Sequence, residues 1–487
     1  PFSHFLPPNI STMNHVLRLD PCRRRHLLSG LVRLFSFSAD DTVPPFSSPR
    51  APESLQRRII LTEGIKTKVV PIIEEWRQRG REVGQLELKT LIRVLRGHRR
   101  FIQALEISEW MGKQKEYSAS SGDDAVRLDL ICKVKGLKNA LDYFESIPED
   151  SRELQLYGAL LNCYANHQRL VEAEAVLQKM RELGFLKRSL SYNVMLKLYS
   201  QMGLYEKLDG LIREMKEAGI KCDAVTYTIR LNAYAATSSI QEMEKLLETM
   251  EADPDRKTLV DWSTYVVMAT AYLRAGLTEK TLSMLKKSER IVGGSSRRIA
   301  YEVLLTSYAS LGNKDEVYRI WGLYKGLGKF YNSSYSSMIS SLVKLDDFNG
   351  AEEIWKEWHS GKRAFDKRIP GLMVTACAKK GLWRKAETYF EKLKENGRKP
   401  EASSWDRLAM AYYVARQKDK LAEALKQAIL ESNSGWRPRF CSFAASIQYL
   451  KEEGDAKVAE EILTLVKERC NWSEGTYKSL MEYTEQQ

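Results

Sequence analysis

The sequence predicts an all-α solenoid of helix–turn–helix repeats, and three observations carry that prediction. The stretch from Leu190 to Gly219, LSYNVMLKLYSQMGLYEKLDGLIREMKEAG, reads as two amphipathic helices around a turn. Looser copies of it return about every 35 residues through most of the chain. One such pair cannot bury both of its apolar faces, so the copies must stack on one another.

Within that stretch, Tyr192, Met195, Leu196 and Tyr199 recur at i, i+3, i+4, i+7, the stripe of a buried helix face. Gly203 breaks the run. Leu208, Leu211, Ile212 and Met215 form a second stripe, and Gly219 ends it at the place where a left-handed residue is usual. With Tyr192 as marker, equivalent positions fall at Tyr157, Tyr227, Tyr265, Tyr301, Tyr335, Pro370, Trp405, Phe443 and Tyr477, and weaker copies at Leu88 and Ala125. From Tyr157 onward the intervals are 35, 35, 38, 36, 34, 35, 35, 38 and 34 residues. Seven beyond the marker come Tyr164, Tyr199, Tyr234, Tyr272, Tyr308 and Tyr412, predicted to fill the helix pair. Eleven beyond it come Gly136, Gly203, Gly276, Gly312, Gly381 and Gly454, which let the chain reverse. Sixteen beyond it come Ala104, Ala173, Ala351, Ala386 and Ala459, which allow close helix approach. Met111, Met180, Met215 and Met250 lie twenty-three beyond it and are expected to pack on the next pair.

The region before the array differs. Residues 1–38 hold Arg18, Arg23, Arg24, Arg25 and Arg33 with few acids and no long apolar run, a transit-peptide composition. Met13 reads as an initiator, with residues ahead of it foreign to the natural chain. Arg33-Leu34-Phe35-Ser36 resembles plant mitochondrial presequence cleavage sites. Residues 39–53 are Pro/Ser-rich and read as a disordered linker. Residues 54–85 read as an N-terminal helical region, with Val69, Val70, Ile72, Ile73 and Trp76 on a helix that Gly80 ends. The array then runs over 86–487 as about eleven hairpins, the last one partial.

Composition and motifs exclude several functions. No apolar run is long enough for a membrane-spanning helix. The seven cysteines form no Cys-x-x-Cys pair, which argues against a zinc site or a disulfide framework. None of the six histidines sits in H-E-x-x-H or in the deaminase H-x-E…P-C-x-x-C set, and no Walker-type phosphate loop occurs. No catalysis and no cofactor are expected. Lysine and arginine outnumber aspartate and glutamate by 13, which favours an acidic partner, nucleic acid first.

The period near 35 invites comparison with the 34-residue tetratricopeptide repeat, whose opening needs a glycine four beyond the marker. Leu161, Leu196, Leu231 and Ala269 stand there instead. The segments LSYNVMLKLYSQMG, KCDAVTYTIRLNAY and GRKPEASSWDRLAMAYY resemble the pentatricopeptide repeat (PPR) family in its P-class form. ALEISEWM, AVRLDLICKVKGL and IPED resemble one plant mitochondrial subfamily of it. The resemblance spans about Leu86 to the C-terminus. It implies a right-handed α-solenoid that binds single-stranded organellar RNA in the mitochondrion, with the chloroplast as the alternative.

The resemblance also implies that bases are read by the residue one past each marker and the residue four before the next. Asn193 with Asp223 matches the family's uracil-preferring pair, and Thr228 with Asp261 and Ser336 with Asp366 match guanine-type pairs. Leu190 and Val225, two before their markers, would sandwich bases. Other units hold Gly158 with Arg188, Val266 with Arg297, Glu302 with Tyr331, Gly371 with Glu401, Asp406 with Arg439 and Ala444 with Ser473, none a recognisable reader. Each polar candidate could equally be a helix cap. Arg188, Arg297, Arg298 and Arg439 at repeat junctions could hold phosphates without reading sequence. Two functions follow: an RNA-binding adaptor in mitochondrial RNA processing, stability or translation, or a scaffold attached to proteins such as the mitochondrial ribosome. Trp355 and Trp358, if exposed, would favour the scaffold.

Overall fold

The computed structural model describes residues 54–61, 67–254, 259–361, 365–394, 399–432, 438–470 and 474–485. The expected transit peptide, residues 1–38, the expected linker, residues 39–53, and Ser473 lie outside these. Among the described residues all regular structure is helical. The helices form two compact units, one ending at Leu259 and the other starting at Val260.

In the first unit, helices Leu55–Leu61 and Val70–Gln78 precede five hairpins, here called by their markers. The Tyr192 hairpin pairs Ser189–Met202 with Tyr205–Glu217. From the Ala125 to the Tyr192 hairpin, each first helix packs on its own second helix and on the first helix of the next hairpin, and the first helix of the Tyr227 hairpin packs on its own second helix. The second unit pairs the helices of each hairpin from Tyr265, Trp262–Arg274 with Thr278–Ile291, to Trp405, Ala402–Val414 with Lys418–Leu430, and from Tyr265 to Pro370 each first helix also packs on the next first helix. The Phe443 hairpin and a final helix, Glu474–Glu485, follow. Each unit is a solenoid stack, and a continuous apolar core runs through the first from Leu55 to Ala233.

The in-phase residues hold this stack together. Ala104, Ala173, Ala351, Ala386 and Ala459 are all fully buried, as are Met180, Met215 and Met250. A larger side chain at the alanines would push two backbones apart, a cost of about 1–3 kcal/mol. The buried markers bring polar tips with them. Tyr192 donates its hydroxyl to Glu214 at 3.0 Å and Tyr335 donates to Glu357 at 2.8 Å, each within one hairpin. The tyrosine seven past the marker reaches back one hairpin. Tyr199 donates to Glu174, which also takes Lys207 at 2.7 Å, and Tyr412 and Lys420 repeat the clamp on Glu387. These bonds satisfy phenols whose bodies are desolvated.

The turn eleven residues past the marker is the most uniform feature. Gly203 there has φ +74° and ends its helix in the left-handed region. Five hairpins lack a glycine at that place and put Arg99, Gln168, Ser238, Asp346 or Arg416 there, and each has φ between +54° and +60°. These are the positive-φ non-glycine residues among the described residues. In the Leu88 hairpin, and in every hairpin from Tyr157 to Phe443, the next N–H bonds to the carbonyl five residues back, as from Leu204 to Tyr199 at 2.9 Å. That bond closes the helix end and aims the second helix back along the first.

Candidate nucleic-acid interface

Asn193 sits in the first turn of Ser189–Met202, its side chain 7 % exposed. Its Nδ2 donates to Asp223 Oδ1 at 3.0 Å and lies 3.1 Å from Oδ2, and its Oδ1 accepts from Thr226 Oγ1 at 2.7 Å. Asp223 in turn caps Ala224–Ala236: its Oδ1 accepts from the Thr226 N–H at 2.8 Å, and the Thr226 hydroxyl closes a capping box. Ser189 Oγ donates to Asp223 Oδ2 at 2.6 Å. Burial pushes the Asp223 carboxyl up, but the bonds from Ser189, Thr226 and Asn193 outweigh it and hold the group below its ordinary value. The pair is therefore an amide clamped by a carboxylate. One amide N–H and one carbonyl lone pair of Asn193 are left over, a donor beside an acceptor suited to a base edge.

Leu190 lies on the same helix, three residues before Asn193, and is 74 % exposed. Val225, in the same register one hairpin on, is 56 % exposed. Apolar side chains held in water next to a polar pair can cover the faces of a base without choosing it. Leu86 occupies that register in the Leu88 hairpin and is 76 % exposed. Sequence reasoning passed over Leu86, although its position two before the marker was the available signal.

The other expected pairs are arranged differently. Thr228 Oγ1 donates to the Ala224 carbonyl of its own helix at 2.7 Å. Asp261 caps Trp262–Arg274, accepting from the Thr264 N–H at 2.9 Å and from Ser263 Oγ at 2.6 Å. Thr228 belongs to the first compact unit and Asp261 to the second. No hydrogen bond joins Ser336 to Asp366. The Ser336 hydroxyl is buried without a partner, while Arg368 takes Asp366 with Nε at 3.0 Å and Nη2 at 2.5 Å. That guanidinium holds the Asp366 carboxyl below its ordinary value against the opposing effect of burial.

The units without reading pairs fill the same register with internal contacts. Glu302 accepts from Ser333 Oγ at 2.9 Å and from Arg298 at 3.2 Å, and the Arg298 guanidinium lies 4.7 Å from the Tyr331 ring centre. Arg298 is thus occupied by protein. Arg188, Arg297 and Arg439 are exposed. Burial pushes the Asp406 carboxyl up, opposed by Arg439 and Arg407. The two tryptophans are not the exposed aromatics a docking surface needs. Trp358 is 4 % exposed with its Nε1 donating to Asn332 at 2.9 Å, and Trp355 stacks on His359 at 4.8 Å and meets Tyr389 edge-on. Helical spacing puts Trp355 against the next hairpin and Trp358 against its own. Among the described residues no three His, Cys, Asp or Glu side chains group to hold a metal ion.

Family models for the PPR repeat match residues 156–185, 225–253, 263–291, 333–361 and 371–398, and a PPR repeat family model matches 187–236. The Arabidopsis thaliana pentatricopeptide repeat-containing protein At2g20710, mitochondrial, is 43 % identical over 440 residues, 90 % of this chain and 89 % of that protein. The chain belongs to the pentatricopeptide repeat family. Two further Arabidopsis thaliana relatives are pentatricopeptide repeat-containing protein At1g02150, 39 % identical over 89 % of this chain and 82 % of its own, and large ribosomal subunit protein mL101, 38 % identical over 85 % and 84 %. The Tyr301 and Trp405 hairpins of this pentatricopeptide repeat protein escape the family models. They keep the left-handed turn all the same, at Gly312 and Arg416. No helix among the described residues is long and apolar enough to cross a membrane.

Proposed function

We propose that this pentatricopeptide repeat protein is a non-catalytic RNA-binding adaptor of mitochondria that acts in RNA processing, stability or translation. The observation that carries the reading is the Asn193–Asp223 clamp, preorganised beside the exposed Leu190 and Val225. Family membership supports it, because such repeats read one base per helical pair with two or three side chains. The surplus of 13 basic residues supports contact with phosphates. The mitochondrial assignment draws on the relative named mitochondrial and on the arginine-rich, acid-poor start of the chain.

Crosslinking in the native organelle, followed by sequencing of bound RNA, tests the adaptor; recovery of no enriched RNA would defeat it. For the reading unit, Asn193→Ala is expected to weaken binding to a site with uracil opposite this hairpin by roughly tenfold, about 1.4 kcal/mol, and other sites less. Equal loss on every sequence would reject base reading there. The variant leaves the Asp223 cap on Thr226 in place, so folding is retained.

A second reading has its own support. Identity to a protein named as a large ribosomal subunit component, together with one assembled reading pair, favours a ribosome-associated scaffold that touches RNA backbone and protein. Co-migration with ribosomal subunits in a sucrose gradient is its expected result, and recovery only in free RNA–protein particles counts against it.

A further inference from the structure

The Leu88 and Ala125 hairpins enclose a partly open cavity of about 180 Å³. Its wall carries four cationic side chains, Lys89, Arg93, Arg96 and Arg127, and one carboxylate, Asp123. Lys89 is paired with Asp123 at 2.8 Å. Arg96 reaches Asp129 at 3.2 Å, but Asp129 is shared with Lys133 at 2.7 Å, and the buried Arg96 Nε has no acceptor. Arg127 is half-buried and meets only neutral groups: the Ser108 carbonyl at 2.6 Å, the Ser108 hydroxyl at 3.1 Å and the Tyr143 hydroxyl at 3.4 Å. A guanidinium has five N–H donors, so two of its own are left over. Gly112 keeps this seat open, since a Cβ there would stand 2.6 Å from Arg127 Nη2. Arg93 is exposed and makes no ion pair among the described residues.

We propose that this cavity binds a single phosphate group, and that in the RNA-bound protein the group belongs to the RNA. The volume is below the roughly 300–1,000 Å³ that encloses a whole small ligand, which fits a phosphoryl group rather than a nucleotide. Two guanidinium groups lacking carboxylates are the chemistry that takes phosphate in bidentate fashion. Ile92, Met111 and Val126 supply apolar wall, which strengthens charge attraction by excluding water. The register links the cavity to the interface. Lys89 stands one past its marker, the place of Asn193, and Asp123 two before its marker, the place of Leu190 and Val225. The source of the phosphate rests on the RNA-binding reading; the affinity of the cavity for phosphate does not.

The test titrates inorganic phosphate into the full chain at fixed ionic strength by calorimetry, with Arg127→Gln and Arg93→Gln as variants. Wild-type protein is expected to saturate with one phosphate. Arg127→Gln is expected to weaken that at least tenfold, and Arg93→Gln severalfold. The exposed Arg93 position serves as the safeguard should Arg127→Gln disturb the packing around Ser108, which circular dichroism reports. No saturable uptake by the wild type, or uptake unchanged in both variants, overturns the site. For RNA, the slope of log affinity against log salt is expected to flatten by about 0.7 in Arg127→Gln, one single-strand phosphate contact. An unchanged slope with phosphate still bound overturns the assignment to RNA. If the wild type binds no RNA at all, the adaptor reading fails, and the phosphate titration still decides the cavity.

Discussion

Gln168 gives the sharpest handle on how these hairpins reverse. It sits eleven past Tyr157 with φ +56°, exposed, in a turn where Gly203 serves the next hairpin. No hydrogen bond of its side chain would be lost on replacement. An L-residue in the left-handed region carries about 1–2 kcal/mol of steric cost. A glycine removes that and adds about 0.4–1 kcal/mol of unfolded-state entropy. Gln168→Gly is therefore expected to stabilise the Tyr157 hairpin by about 0.5–1 kcal/mol, and Gly203→Ala to destabilise the Tyr192 hairpin by about 1 kcal/mol. Because repeats contribute locally and a long array does not melt in two states, the assay is native-state hydrogen exchange. The reporter is the Arg169 amide, which bonds to the Tyr164 carbonyl at 3.0 Å across the turn. Its protection should rise about two- to fivefold in Gln168→Gly. Unchanged or lower protection, or a harmless Gly203→Ala, refutes the claim that this register demands a positive φ.

Other predictions follow from the clamp and from a buried sulfur pair. The Asp223 carboxyl is held below its ordinary value, so its contribution is fully present above about pH 4, the unfolded range, and is lost as pH falls through the lower folded value. Asp223→Asn, which turns charge-assisted hydrogen bonds into neutral ones, should cost about 1 kcal/mol at neutral pH, read as faster exchange across Ala224–Ala236, and the gap from wild type should close in acid; a gap constant with pH would contradict the linkage. Cys132 and Cys163 face each other between the Ala125 and Tyr157 hairpins, with His167 Nδ1 3.8 Å from Cys132 Sγ. The hydrogen bond from the Cys163 thiol brings the Cys132 thiol below its ordinary value, against burial and with help from the imidazole, while Cys163 is pushed up. Thiolate ultraviolet absorbance should therefore develop below the ordinary thiol range and vanish in Cys132→Ser. If the signal survives that variant, the assignment to Cys132 is wrong.

The sequence alone determined the helices, their order and most of the core. A stripe at i, i+3, i+4, i+7 must be covered by something, and residue types recurring in phase say which side chains meet, as with the buried Ala104 to Ala459 series. Asn193 and Asp223 were legible as a pair through the family resemblance, and the structure joins them by a hydrogen bond. Tertiary structure decided what each side chain does once there. Ser336 and Asp366 satisfy the same spacing as Asn193 and Asp223, yet Arg368 captures the aspartate, and a carboxylate pairs with the nearest cation whatever its register. Trp355 and Trp358 looked available until Tyr389 of the following hairpin met the first and Asn332 and Phe365 enclosed the second. At Arg99, Gln168, Ser238 and Arg416, no local propensity announces a left-handed turn; the packed helices on either side impose it, since the gain from burying two apolar faces exceeds the strain of one residue. Local chemistry thus set the repeat, and competition among neighbours in three dimensions set which repeats keep a free polar edge.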